Sequence, residues 1–367
     1  MAQTIIFGND AYQKIGDLLQ NSGVTKYLLV CGNSFDKLPV AAYLATLDIP
    51  CVRFGGFTSN PKYEEVCEGV KLYRQEGCDG IVAVGGGSPI DVAKCIKLYA
   101  KMPDDRLYLQ QEYTDTGIPL IAMPTTAGTG SESTRFAVIY LNGVKQSVHH
   151  ESILPDYAVL CADALENLPV YQKKCTLLDA LCQAIESWWS VYSTPESIAL
   201  AKKATALLMQ YAREYVFENT PCAREYIMQA SNLAGQAIHI TSTTAVHAMS
   251  YKMSSTYAIP HGHAVGIGLP KCWRYMQAHL GDCTDQRGAA YLQSVFEEIA
   301  KTLGGKTVEE GIAIFENLLA DLQISAPKAE QSDLDILVAS VNTDRLKNNP
   351  VDVSKGLREI YQNILGL

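Results

Sequence analysis

The sequence predicts an α/β domain built on a parallel sheet over residues 1–162, followed by an all-α domain over residues 163–367. Three observations predict it. Short apolar runs alternate with amphipathic stretches in the first half. Those runs are continuously apolar, as expected of strands buried on both faces. After Pro169 the strand signals fade, and Ala- and Leu-rich helical segments take over.

Taken in order, residues 26–31 (KYLLVC) read as a strand entering the turn Gly32-Asn33-Ser34, and residues 50–54 as a second strand. Residues 61–75 read as a helix with Val66, Val70 and Tyr73 on one face. Residues 80–84 and 118–123 supply two more buried strands. Such alternation implies right-handed crossovers and a parallel sheet. In the second half, residues 197–216 and 223–237 read as long helices.

Composition narrows the function classes. The chain has 367 residues, room for two domains with sizeable cores. A net charge of −9 argues against bulk attraction to nucleic acid or to an anionic membrane. The start, Met1 to Gly8, is too short an apolar run for a signal peptide, and no segment reaches transmembrane length. The eleven cysteines include no Cys-x-x-Cys pair. Reduced thiols in a cytoplasmic enzyme are the simplest reading.

Three stretches carry chemistry. Gly85-Gly86-Gly87-Ser88-Pro89-Ile90-Asp91 follows a buried strand and opens a helix, where small residues and a helix N-terminus favour a pyrophosphate. A tight turn with no ligand is the alternative. The loop at residues 123–132 brings Thr125, Thr126, Thr129 and Ser131 to another strand end, suited to ribose and phosphate contacts or to capping the next helix. Finally, Asp179, His247 and His261 form a donor set suited to Zn²⁺ or Fe²⁺ with positions open to a substrate oxygen, so a bound ion could polarise a carbonyl. Gln183 lies four residues after Asp179 on the same helical face.

The motifs GGGSxxDxAK, PTTAGTGSE, DALxxAxE, HAM and PHGxxxAxxLP follow in this order from Gly85 to Pro270. Together with Gly56 to Pro61 and Asn348-Asn349-Pro350, they resemble the iron-containing (group III) alcohol dehydrogenase family. The resemblance implies a dinucleotide-binding α/β domain and a helical metal- and substrate-binding domain, in the dehydroquinate synthase-like architecture. It implies a site in the cleft between them and a homodimer. The implied cofactors are NAD(P)H and a divalent metal, Fe or Zn. It carries Asn60, Gly86, Gly87, Ser88 and Asp91 to the pyrophosphate, and Thr125, Thr126, Thr129 and Ser131 toward ribose and nicotinamide. Lys145 resembles the lysine that faces the cofactor. Gly32 stands where the family often places an Asp that binds the ribose 2′-hydroxyl, so NADPH is expected to serve at least as well as NADH.

The chain also departs from the family pattern. Gln183 replaces a histidine, which leaves an Asp-His-His set like that of glycerol dehydrogenases; loss of the metal, with Gln183 bound to substrate or water, is the other reading. Tyr251 and Lys252 replace a His and a Pro, making Tyr251 a candidate proton donor beside the catalytic His261, or a packing surface for substrate. Arg135, Lys252 and His263 are extra basic groups that suit an anionic substrate; alternatively Lys252 reaches solvent, Arg135 pairs with a Glu and His263 sits in the core. The runs GSESTRFAVIY, SYKxxSxYxIPHGHAV and DALCQAIESWWS further resemble the phosphonoacetaldehyde reductase branch. The reading is therefore an NAD(P)H-dependent, metal-assisted reductase of a small anionic aldehyde, phosphonoacetaldehyde giving 2-hydroxyethylphosphonate. The alternatives are a general short-chain alcohol, lactaldehyde or glycerol-type dehydrogenase, a dehydroquinate synthase-like lyase, and a non-catalytic nucleotide-binding pseudo-enzyme.

Overall fold

The protein is described here by a computed structural model covering residues 3–367; Met1 and Ala2 of the N-terminal run lie outside the described residues. The chain divides into two compact units, one ending at Asn167 and the other beginning at Leu168. The division falls after Asn167 rather than after residue 162 because the turn Ala162–Leu165 packs Ala164 into the core of the first unit.

In the first unit the strands are β1 (Thr4–Phe7), β2 (Tyr27–Cys31), β3 (Cys51–Phe54), β4 (Gly80–Gly85), β5 (Leu120–Pro124), β6 (Phe136–Leu141), β7 (Val144–His149) and β8 (Tyr157–Leu160). Six of them form a parallel sheet in the order β1-β8-β5-β4-β2-β3. The helices are α1 (Ile15–Asn21), α2 (Pro39–Leu44), α3 (Tyr63–Gln75) and α4 (Gly87–Tyr99). Strand side chains alternate between two cores. Leu28, Val30, Ile81, Ala83 and Leu120 pack with Val66, Val70 and Ile96 of α3 and α4. Tyr27, Leu29, Val82, Val84 and Ile121 pack with Ile15, Leu19, Val40 and Leu44 of α1 and α2. Each such side chain contributes about 1.5–3 kcal/mol of burial, and two covered faces explain why the runs read as unbroken apolar segments.

The chain leaves β2 for β3 on one side and returns to β4 on the other, so a topological switch point lies between β2 and β4. The register pairs Cys31 with Val84 and Gly85 with Pro124. Gly32, Gly86 and Thr125 therefore emerge together at the carboxyl edge of the sheet.

β6 and β7 form a separate antiparallel hairpin. Its turn residues, Asn142 and Gly143, both have positive φ (52° and 74°), the geometry a two-residue hairpin turn requires.

The second unit contains α5 (Val170–Trp189), α6 (Pro195–Arg213), α7 (Pro221–Thr241), α8 (Ala245–Tyr257), α9 (His261–Ala278), α10 (Ala289–Leu303), α11 (Val308–Asp321), α12 (Asp333–Ser340) and α13 (Leu357–Leu365). The two long helices read at 197–216 and 223–237 are α6 and α7. Pro195 and Pro221 open them behind the capping hydroxyls of Thr194 and Thr220. α5 packs against α6, α7 and α9, and from Leu177 to Trp189 it is buried without interruption. α9 crosses α5 closely at Gly262, where a Cβ would lie 1.9 Å from the Cys175 carbonyl oxygen. Only glycine permits that crossing, and the crossing sets His261 beside Asp179. Among the described residues, no helix is long and apolar enough to cross a membrane.

Candidate functional site

At the sheet edge of the first unit, Gly86 is the N-cap of α4 and supplies no capping side chain. The first N–H groups of the helix are thus presented by backbone alone, which suits an anion. The threonine loop comes in closely: a Cβ on Gly86 would lie 3.2 Å from Thr126 Oγ1, and one on Gly87 3.0 Å from Thr129 Cγ2. The Thr125 N–H donates to the Gly85 carbonyl at 2.9 Å. Ser88 donates its hydroxyl to the Ser59 carbonyl, and the Asn60 carbonyl accepts from Thr58 Oγ1 at 3.1 Å. Ser88 therefore ties the 56–61 loop to the helix start.

Asp91 plays a bracing part. Its carboxylate oxygens accept from Ser131 Oγ (2.6 Å) and from the Val138 N–H (3.0 Å), which joins α4 to the threonine loop and the hairpin. Burial raises its pKa, while Lys94, Ser131, Val138 and Lys145 pull the other way. The sequence reading set Asp91 against a pyrophosphate; the structure gives both of its oxygens protein donors. Lys94, buried, donates to Ser131 Oγ, Thr134 Oγ1 and the Phe136 carbonyl. Burial brings its pKa down to about 8 against the opposing pull of Asp91 and Glu132. Lys145 lies on β7 opposite Tyr140.

Gly32 directly follows β2, with nothing within 4 Å of where a Cβ would stand. The same turn receives a cation that the sequence did not reveal. Arg53 reaches over from β3, pairing with Asp36 at 2.7 Å and lying 5.2 Å from the Phe35 ring centroid. Only the pairing of β2 with β3 brings it there.

The second unit gathers Asp179 from α5, His247 from α8 and His261 from the first position of α9. One ligand atom from each lies within 4.8 Å of the others. His247 Nε2 stands 3.3 Å and His261 Nε2 3.9 Å from Asp179 Oδ1. Gln183 is buried one turn further along α5.

Hydrogen bonding fixes which ring nitrogen faces the cluster. His247 Nδ1 meets Glu186 Oε2, which holds the Nδ1 proton, and Nε2 faces Asp179 Oδ1, so Nε2 is the nitrogen left for an ion. Ser250 gives its one hydroxyl hydrogen to the His247 carbonyl at 2.8 Å, so His261 Nδ1 donates to Ser250 Oγ at 3.2 Å and its Nε2 is the nitrogen turned to Asp179. Two imidazole Nε2 atoms and a carboxylate converging in this way fit a divalent ion, whose binding would displace an Nε2 proton. Without one, burial works against charge on His247, yet Glu186 and Asp179 outweigh it and push its pKa up to about 10. The side chains of Asp179 and His247 are 6% and 4% exposed, whereas that of His261 is 35% exposed, so the cluster opens on the His261 side.

Glu186 is the main residue the sequence reading passed over. Fully buried, it also accepts at Oε1 from Thr244 Oγ1 (2.7 Å) and from the N–H groups of Thr244, Val246 and His247. It thus closes the N-terminus of α8 and orients the ligand that α8 carries. Its signal was its place at the end of DALxxAxE, two helical turns beyond Asp179.

Tyr251 stacks its ring on His261, centroids 5.3 Å apart and planes 8° from parallel. Arg345, also unforeseen, donates to the Tyr251 oxygen at 3.1 Å. Lys252 is half-buried on the same helix, α8. Two of the proposed anion-binding residues require correction. His263 is buried, with Nδ1 on the Tyr171 hydroxyl and Nε2 on the Ser325 carbonyl, both at 2.8 Å. Two residues on from His261, it turns to another face of α9 and anchors the helix. Arg135 is paired with Glu151, which the hairpin carries back beside it.

Comparison with known proteins agrees with this geometry. Residues 2–162 match the family described as iron-containing alcohol dehydrogenase, and residues 174–364 match the C-terminal region of that family. The "Probable alcohol dehydrogenase EutG" of Escherichia coli (strain K12) is 38% identical over 299 residues, 77% of this chain and 74% of that protein. The phosphonoacetaldehyde reductase of Streptomyces viridochromogenes is 34% identical over 250 residues, covering 64% and 63% of the two chains. The crystal structure of sulfoacetaldehyde reductase from Bifidobacterium kashiwanohense in complex with NAD+ aligns with a TM-score of 0.88 at 27% identity, over 99% of this chain and 97% of that one.

Proposed function

This chain belongs to the iron-containing alcohol dehydrogenase family, and from that premise we propose that it reduces a small anionic aldehyde to the alcohol with NAD(P)H, phosphonoacetaldehyde to 2-hydroxyethylphosphonate fitting best. The observation that carries the reaction class is the convergence of Asp179 Oδ1 with the Nε2 atoms of His247 and His261.

When bound, the divalent ion supplies Lewis acidity toward a carbonyl oxygen and the nicotinamide supplies the hydride. The chain's own residues do the rest. Asp179, His247 and His261 would hold the ion, Glu186 keeping Nε2 of His247 inward and Ser250 that of His261. The uncapped start of α4 and the threonine loop would receive the pyrophosphate and ribose. Tyr251, stacked on His261, can offer its hydroxyl proton to the product oxygen. Support for an anionic substrate comes from two relatives named for aldehydes that carry a tetrahedral oxyanion, and from the basic Lys252 on α8.

One observation favours a second reading, a general short-chain alcohol dehydrogenase: Arg135 and His263 are already engaged within the protein. An aldehyde panel with NADH and NADPH separates the two. The expected result is one alcohol formed per NAD(P)H consumed and the highest kcat/KM for phosphonoacetaldehyde. Equal kcat/KM for uncharged aldehydes of similar length selects the second reading, and no turnover of any aldehyde rejects both.

A further inference from the structure

We infer that Arg345 is the residue that reads the anionic end of the substrate, an inference that rests on the anionic-aldehyde reading above. Arg345 stands on the short turn Thr343–Leu346 and is half-buried. Its Nη1 donates to the Tyr251 oxygen at 3.1 Å, and its guanidinium carbon lies 5.2 Å from the Tyr251 ring centroid. The other side of this contact is the ligand cluster: Tyr251 stacks on His261 at 5.3 Å, and His261 Nε2 is 3.9 Å from Asp179 Oδ1. A single aromatic ring therefore links the guanidinium to the metal-ligating group.

The company Arg345 keeps is unusual for this chain. Acidic residues outnumber basic ones, 39 to 30, and Arg135, Arg274, Arg287 and Arg358 each meet a carboxylate. Arg345 meets none among the described residues, and its neighbour Asp344 is taken by Lys347 at 2.7 Å. A half-buried guanidinium without a counter-ion costs desolvation that no partner in the chain returns. One N–H direction is spent on Tyr251; the remaining donors form the planar fork that binds a phosphonate, sulfonate or carboxylate bidentately.

The rival role for Arg345 is to act on the Tyr251 phenol alone. That role would change kcat for every aldehyde, whereas recognition of an anion changes KM for charged aldehydes only. The test measures wild type, Arg345→Met and Arg345→Lys on phosphonoacetaldehyde, sulfoacetaldehyde and propionaldehyde. Calorimetric binding of 2-hydroxyethylphosphonate to each protein as isolated serves as a readout independent of turnover. We expect Arg345→Met to lose about a hundredfold in kcat/KM on both charged aldehydes, chiefly through KM. Propionaldehyde should change less than about threefold, the product Kd should rise by the same hundredfold, and Arg345→Lys should fall in between. A phosphono- or a sulfo-aldehyde losing more than the other identifies which oxyanion the fork fits. Equal losses on all three aldehydes, or an anionic preference that survives in Arg345→Met, overturns the inference and leaves the anionic-aldehyde reading standing. A wild type that shows no preference for charged aldehydes overturns that reading, and the inference with it.

Discussion

The two candidate binding regions are made of different materials. The edge of the sheet in the first unit is mostly backbone: Gly86 and Gly87 bring bare N–H groups forward, Thr126 and Thr129 close in on them, and Asp91 and Ser88 serve to tie loops together. The cluster in the second unit is entirely side chain, one carboxylate and two imidazoles from three helices, each imidazole oriented by a buried partner. A backbone site spreads its donors over a turn and survives the loss of any one side chain. A side-chain site concentrates its function in single atoms, so one substitution should abolish it.

The largest expected contrast tests that difference. Asp179→Asn, His247→Ala and His261→Ala should each lower kcat by about a thousandfold or more, since each removes a ligand from the Lewis-acid site. Ser88→Ala, at the phosphate end, should raise the cofactor KM by no more than about tenfold, because the backbone N–H groups stay in place. Steady-state kinetics checks both, and comparable losses at the two ends would erase the distinction.

Next in size is Glu186→Gln. The carboxylate that holds His247 Nδ1–H is replaced by an amide, and metal affinity should fall by about 10–100-fold, read by competition with a chelator. Unchanged affinity would show that α8 alone positions His247.

Gly32→Asp should swing cofactor use toward NADH by about tenfold. The open space at Gly32 admits the side chain, and the carboxylate would repel a 2′-phosphate. Kinetics with both cofactors checks it, and a wild-type preference of about a hundredfold for NADH would contradict the reading of that turn.

Smallest is Gln183→His. Imidazole in place of a weak oxygen donor should slow metal loss during dialysis against a chelator by a few-fold. Identical loss rates would remove position 183 from the metal's surroundings.

The same contrast governed what the sequence could reveal. The strand, glycine turn and helix at residues 80–99 are contiguous, so their order was readable along the chain. The parallel sheet followed because strands buried on both faces are unbroken apolar runs. Short edge strands such as β1, with mostly exposed residues, gave no such signal. Asp179, His247 and His261 were found as residue types, but their supports were not. Glu186 acts on groups 58 to 61 residues away, and Arg345 on a tyrosine 94 residues away. His263 was misread by proximity in sequence, although a two-residue step on a helix already turns a side chain away from its neighbour's face. Arg135 was misread because only the hairpin, whose Asn142-Gly143 turn is a recognisable signal, returns Glu151 to its side.

The central claim, that three side chains of the second unit hold the ion on which reduction depends, is tested most directly by metal stoichiometry. Wild type, His261→Ala and Ser88→Ala, each loaded with Zn²⁺ or Fe²⁺ and then freed of unbound ion, should be compared by elemental analysis. The account predicts about one ion per chain in wild type and in Ser88→Ala, and almost none in His261→Ala. A full equivalent retained by His261→Ala would contradict it.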